Sequence, residues 1–110
     1  MITAEFTQNR EKQFTGFKLT GHAEYADPGY DIICAAASML SINTANSIEK
    51  LTGAPVISEA GEEGFMSCQI QDPEDPEAQL LVRSLKLGLE TIRDTYGRQY
   101  VTVSLKSAPF

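Results

Sequence analysis

The residues best suited to covalent chemistry lie in one short stretch, GHAEYADPGYDIICAAAS, which runs from Gly21 to Ser38. It contains His22, the only histidine of the chain, and Cys34, one of its two cysteines. A thiolate is a strong nucleophile, and a nearby imidazole can accept the thiol proton and later protonate a leaving amine. These two residues predict a catalytic cysteine–histidine pair. A purely structural role for both residues, or a metal site, is the alternative.

Residue spacing disfavours other uses of the thiol. One histidine and one cysteine lack the paired ligand spacing that is typical of zinc sites. A redox pair requires a second cysteine where Ala37 stands, and a cysteine phosphatase loop requires an arginine where Leu40 stands. We therefore expect neither a metal nor a cofactor.

A helix must position Cys34. Apolar residues recur at spacings of three and four over about 32–52, which predicts an amphipathic helix. Asp31 is suited to cap its start, and Cys34 would then be its third residue, beside main-chain N–H groups that favour a thiolate and could bind an oxyanion. The same carboxylate could instead orient His22. The residues predicted to face the core are Ile33, Ala37, Leu40, Thr44, Ile48 and Leu51.

The neighbours of Cys34 suggest a cleft with a mobile loop. Ser38 lies one helical turn after Cys34, where it could bond near the thiol, line the cleft or fit a tight helix contact. Residues 27–30, Asp-Pro-Gly-Tyr, fit a type II turn within the polar loop 23–30. We expect this loop to order on a bound peptide, with Gly21 as its hinge.

The remaining pattern predicts a single domain, residues 1–110, with the element order ββαββαβ. Alternating apolar residues indicate strands over about 2–6, 14–20, 56–59, 64–71 and 100–105. Two long helices need a sheet to cover, so the predicted fold is an α/β (α+β) two-layer sandwich, a mixed sheet with both helices on one face. Cys68 is predicted to be a small buried hydrophobe. In the second helix, which ends at about Tyr96, the predicted inward residues are Leu81, Leu85, Leu89, Ile92 and Tyr96.

Charge and hydropathy limit the possible partners. The chain of 110 residues has a formal net charge of −6, which argues against binding a nucleic-acid backbone and suits a basic partner. Solubility alone also explains such a charge. We find neither an apolar run long enough to span a membrane nor a signal-peptide layout, so a cytoplasmic protein is expected.

The stretch from Gly21 to Ser38, followed by NTANSIEKL, resembles the ribosomal-processing cysteine protease family (Prp). The family pattern is Gly-His-Ala, a short loop with Tyr and Gly, then Asp-Ile-(Ile/Val)-Cys-Ala-Ala-x-Ser. The resemblance implies a bacterial cytoplasmic endopeptidase, a homodimer, that removes the short N-terminal extension of large-subunit ribosomal protein twenty-seven. Cleavage after Phe would support ribosome maturation. The roles that it implies are nucleophile for Cys34, base for His22, acid for Asp31, hydroxyl for Ser38 and hinge for Gly21.

Sequence proximity suggests the substrate contacts. Tyr25, Tyr30 and Met39 are predicted to contact the peptide, and an extended peptide could add to an exposed strand edge near the cleft. The alternative function is a non-catalytic ribosome-assembly partner that binds a basic protein tail. The presence of both Cys34 and His22 favours the protease, because binding alone requires neither.

Overall fold

The computed structural model describes residues 1–21, 28–61 and 65–107, and for residues 28–30 it describes the main chain only. Within these ranges the order is the predicted ββαββαβ, and neither long helix is apolar enough to cross a membrane. In chain order the elements are β1 (Ile2–Gln8), β2 (Phe14–Thr20), α1 (Pro28–Ser47), a π-helical turn (Ile48–Thr52), β3 (Val56–Ala60), β4 (Met66–Ile70), α2 (Pro76–Tyr96) and β5 (Val101–Ser107).

The five strands form one mixed sheet in the order β3-β4-β2-β1-β5. β5 is parallel to β1, and every other neighbouring pair is antiparallel. Because Thr3 pairs with Thr20 and Leu19 with Met66, the start of β1, the end of β2 and the start of β4 share one end of the sheet. The chain leaves β2 at this end and then enters α1, so the stretch from Gly21 to Ser38 begins there.

One face of the sheet forms the core under the two helices, and this confirms the predicted sandwich. In β1 the alternate residues Ile2, Ala4 and Phe6 are buried. The Phe6 ring meets Phe14 edge-on, with ring centroids 5.9 Å apart. Met66, Cys68 and Ile70 of β4 are buried on the same face, as predicted.

The first helix begins earlier than predicted. Residues 28–30 are helical rather than part of a type II turn. Proline suits the first turn of a helix because its missing N–H is not needed there. The assignment of Asp31 as the N-cap is therefore wrong, because Asp31 is the fourth helical residue. Cys34 is the seventh helical residue rather than the third.

Three residues predicted to face the core lie outside it. Leu51 is 77% exposed because the π-helical turn is wider than an α-helical turn and rotates the side chain away from the core. Leu40 is 38% exposed and lies beside α2. Tyr96 is exposed in the last turn of α2, where burial has already fallen from Leu89 to Ile92. The buried stripe of α2 is Ala78, Val82, Leu85 and Leu89, and Leu81 is only half-buried.

The start of α2 is fixed by two sets of hydrogen bonds. The Asp75 carboxylate caps the helix by accepting from the N–H groups of Glu77 and Ala78. One turn in, the Gln79 side-chain amide accepts from the Phe14 N–H and donates to the Phe14 carbonyl, each at 2.8 Å. Phe14 needs these bonds because the register of β1 and β2 shifts at its partner.

We expect Gln79→Ala to lower the free energy of unfolding by about 1–3 kcal/mol, because it leaves the main chain of buried Phe14 unpaired. Urea unfolding measures the change. Gln8→Ala is the control, since the bond of the Gln8 amide to the Lys12 carbonyl is exposed, and it should change stability by less than about 0.5 kcal/mol. Equal losses in the two variants would contradict the bridging role of Gln79.

Candidate active site

Cys34 lies on the flank of α1 that faces away from α2. Ala37 is fully buried under the helix, and Leu40 lies next to Gly88 of α2. Because an α-helix has about 3.6 residues per turn, Leu40 is about 60° from Ala37 in one direction and Cys34 is about 60° from it in the other. The thiol of Cys34 is half-buried and packs against the edge of the core, so it borders solvent.

Two of the predicted site residues share this flank with Cys34. Ser38 lies one turn after Cys34 and is half-buried, and Asp31 lies in the preceding turn and is exposed. Met39 is 63% exposed and lies about 140° around the helix from Cys34. The fold therefore brings Asp31, Cys34 and Ser38 together and places Met39 on the outer face.

The early start of α1 changes the surroundings of the thiol. In a helix that begins at Pro28, the first-turn N–H groups with no acceptor within the helix are those of Gly29 and Tyr30, because Pro28 has no N–H. Cys34 itself lies in the second turn. Helical side chains tilt toward the N-terminus, so Cys34 leans over the turn that contains Tyr30 and Asp31. The positive end of the helix is thus one turn further from the sulfur than the sequence predicted.

Gly21 directly follows β2 and begins the stretch 21–38. His22 and Tyr25 lie outside the described residues, as does the side chain of Tyr30. Gly21 has a φ of +109°, which favours glycine, and a Cβ there would collide with the carbonyl oxygen of Met1. Sequence reasoning identified Gly21 only as a hinge. The contact with Met1 arises from the pairing of β1 with β2, and local sequence contains no signal for it.

Cys68 differs from Cys34 in its burial. It is 3% exposed, and burial, reinforced by the charge of Glu49, raises the pKa of its thiol to about 11. A thiol with so high a pKa is a poor nucleophile at neutral pH. Among the residues that the structure describes, His, Cys, Asp and Glu form no group of three that could hold a metal ion.

The family follows from the sequence model of Cysteine protease Prp, which matches residues 1–102. This chain belongs to the Prp family of cysteine proteases. It is similar to ribosomal processing cysteine protease Prp of Staphylococcus aureus, with 34% identity over 97 residues that cover 87% of this chain and 92% of the relative. The Bacillus subtilis Prp is 32% identical over 101 residues, which cover 87% of this chain and 90% of the relative.

Solved structures of the Prp family have the same fold. The crystal structure of S. aureus Prp with a substrate peptide has a TM-score of 0.88 and 29% identity, and it covers 96% of this chain and 100% of that one. The same protein with a covalently linked product peptide has a TM-score of 0.86 and 30% identity at the same coverage. The five-stranded mixed sheet with two helices is therefore the Prp fold.

The raised pKa of Cys68 predicts a pH-dependent stability. The Cys68 thiol ionises near pH 9 in the unfolded chain and near pH 11 in the folded protein. As the pH rises from about 9 to 11, the unfolded chain releases this proton more readily, so the folded state becomes less stable relative to it. Over this range, we expect the free energy of unfolding to fall by at most about 2–3 kcal/mol more in the wild-type protein than in the Cys68→Ser variant. The variant lacks the effect because serine has no thiol proton to release. Denaturant unfolding at pH 8 and pH 11 measures the difference. Parallel curves for the two proteins would argue against burial of the neutral thiol.

Gly21 should be required for catalysis in this Prp family member for a steric reason. Gly21→Ala adds a Cβ against the Met1 carbonyl and should lower kcat/KM by about 100-fold, because the displaced chain leads directly to His22, the predicted base. Gly53→Ala is the matched control. Gly53 also has a positive φ, +74°, but its Cβ would meet nothing within 4 Å.

The control should lose about 1 kcal/mol of stability and keep its activity. Kinetics with a peptide substrate, run well below the melting temperatures of both variants, separate a loss of activity from a loss of stability. Full activity in folded Gly21→Ala would disprove the steric argument.

Proposed function

We propose that this chain is the cysteine endopeptidase that removes the short N-terminal extension of bacterial large-subunit ribosomal protein twenty-seven, by cleavage after Phe. The observation that carries the proposal is the half-buried Cys34 thiol on the free flank of α1, within a chain of the Prp family. The S. aureus relative with a covalently linked product peptide supports a peptide substrate and a covalent step.

The proposed chemistry is acyl transfer to Cys34. His22 accepts the thiol proton, and the thiolate attacks the scissile carbonyl carbon. Main-chain N–H groups at the start of α1 stabilise the oxyanion of the tetrahedral intermediate. The carbon–nitrogen bond then breaks, and His22 returns its proton to the leaving amine. Water attacks the resulting thioester with His22 as base, which releases the acid and restores the thiol.

We assign supporting roles to the residues around the pair. Because α1 begins at Pro28, Asp31 is not needed as its cap, and its carboxylate is available to orient His22. Ser38, one turn after Cys34 on the same flank, provides a hydroxyl that lines the cleft. Tyr25 and Tyr30 are proposed to contact the aromatic side chain of the substrate.

Charge supports a basic protein as the substrate. The chain has a net charge of −6, and the α1 segment has Asp31 as its only charged residue. Ribosomal proteins are commonly basic, and opposite fields accelerate encounter. A homodimer in the cytoplasm completes the proposal, and both features rest on the family resemblance.

Cys34→Ala should abolish cleavage while the protein stays folded and still binds the peptide, because it removes only the sulfur. Mass spectrometry of the extension peptide after incubation measures cleavage. Cys68→Ser is the control and should keep most of the activity, since the buried Cys68 thiol has a high pKa. An inactive but folded Cys68→Ser variant would reverse the roles of the two cysteines.

His22 can be tested in the same preparations by alkylation. Iodoacetamide should label Cys34 quickly near neutral pH and more slowly in His22→Ala, if the imidazole removes the thiol proton. Equal labelling rates would contradict the pair. A wild-type protein that binds the peptide and leaves it intact would favour the non-catalytic binding partner.

A further inference from the structure

An unpaired strand edge lies on the same side of the molecule as Cys34. β3 ends the sheet order, and among the described residues its only partner strand is β4. The flank of α1 that bears Cys34 faces away from α2, and α2 contacts β5 at the opposite end of the sheet. The edge strand on the Cys34 side is therefore β3.

The hydrogen bonds between β3 and β4 identify the main-chain groups that face this edge. The Pro55 carbonyl accepts from the Gln71 N–H at 3.1 Å, and the Gly61 N–H donates to the Phe65 carbonyl at 3.0 Å. In an antiparallel pair, residues bonded to the partner strand alternate with residues whose N–H and C=O point away. The main-chain groups that point to the free edge therefore belong to Val56, Ser58 and Ala60.

The helix layer stops short of this edge. Ser58 and Ala60 pair with Cys68 and Met66, so their side chains lie on the helix-covered face of the sheet. Cys68 and Met66 are buried under α1, whereas Ser58 and Ala60 are exposed. Small, uncovered side chains leave room beside the edge for an added strand and for its approach to α1.

The charges here fit a basic partner. Glu59 is the only charged residue of β3, and Asp31 is the only charged residue of α1. Exposed edges are commonly protected by lysine or proline, and the segment VISEA contains neither. A second copy of this chain would bring the same acidic residues and a net charge of −6, so charge favours a basic peptide over self-pairing.

We propose that β3 is the docking edge for the substrate. A basic, extended segment of the substrate pairs with the main chain of Ser58 and Ala60 as a sixth strand, and the adjoining residues carry the scissile bond to Cys34. The proposal rests on the proposed function, because it takes the peptide as the substrate. Strand addition provides affinity through main-chain bonds, whereas the chemistry occurs on α1, so loss of the edge should act on KM rather than on kcat.

Ser58→Pro tests the edge directly. Proline removes the outward N–H, its ring obstructs an added strand, and an exposed edge position tolerates it. With a peptide of the N-terminal extension of ribosomal protein twenty-seven, we expect KM to rise by about tenfold and kcat to stay within about twofold. An unchanged KM in a folded Ser58→Pro variant overturns the docking edge, while continued cleavage leaves the protease function intact.

Leu105→Pro is the matched control on β5, whose only partner strand in the described part of the chain is β1. The Ile2 N–H donates to the Tyr100 carbonyl, so alternate residues from Tyr100 onward face β1, and the Leu105 N–H faces outward. Leu105 is 54% exposed. Both kinetic constants should stay unchanged in this variant, and a KM rise equal to that of Ser58→Pro would contradict a specific role for β3.

Hydrogen exchange provides a readout that does not depend on cleavage. In Cys34→Ala protein, the same peptide should slow exchange of the Ser58 and Ala60 amides and leave the Leu105 amide unchanged. Unchanged exchange at Ser58 and Ala60 with the peptide bound overturns the proposal. Protection of these amides that grows with protein concentration in the absence of peptide identifies a second copy as the occupant, which also overturns it.

Discussion

The seating of α1 on β4 is the constraint on which the rest of the site depends. The inward face of α1 includes Ala37, Ser41 and Ala45, all buried, and such small side chains let a helix approach a sheet closely. The Ser41 hydroxyl bonds back to the Ala37 carbonyl, so its burial needs no partner outside the helix. With this face fixed, Cys34 has to emerge at the margin of the core, half covered and half open.

The same seating separates the two thiols. Cys68 lies beneath the helix layer and Cys34 lies at its border, although both side chains pack against one core. Water reaches the border and not the interior, and its exclusion from Cys68 raises the pKa of that thiol. Glu49, in the π-helical turn, adds a negative charge close to Cys68 and raises its thiol pKa further. Of the two thiols, only that of Cys34 is therefore accessible to solvent.

Periodicity in the sequence was sufficient for the element order and the two-layer fold, because alternation and three-to-four spacing report which face each element buries. It failed at Leu51, because the π-helical turn changes the direction of the side chains relative to a regular α-helix. It also failed at the start of α1, which begins at Pro28, three residues before Asp31. Cys34 and Ser38 could be placed on one flank from spacing alone. The contact of Gly21 with Met1 could not be predicted from spacing, because it depends on which strands pair. The choice between the two sheet edges could not be predicted for the same reason.

The open edge of β3 has a consequence for the behaviour of the protein in concentrated solution. Strand edges without lysine or proline are templates for aggregation, because any extended chain can complete their hydrogen bonds. Here the net negative charge disfavours the pairing of two β3 edges by repulsion, whereas it attracts a basic chain. Acidification toward the isoelectric point, or high salt, would weaken that repulsion and favour association of β3 edges, where Ile57 is exposed.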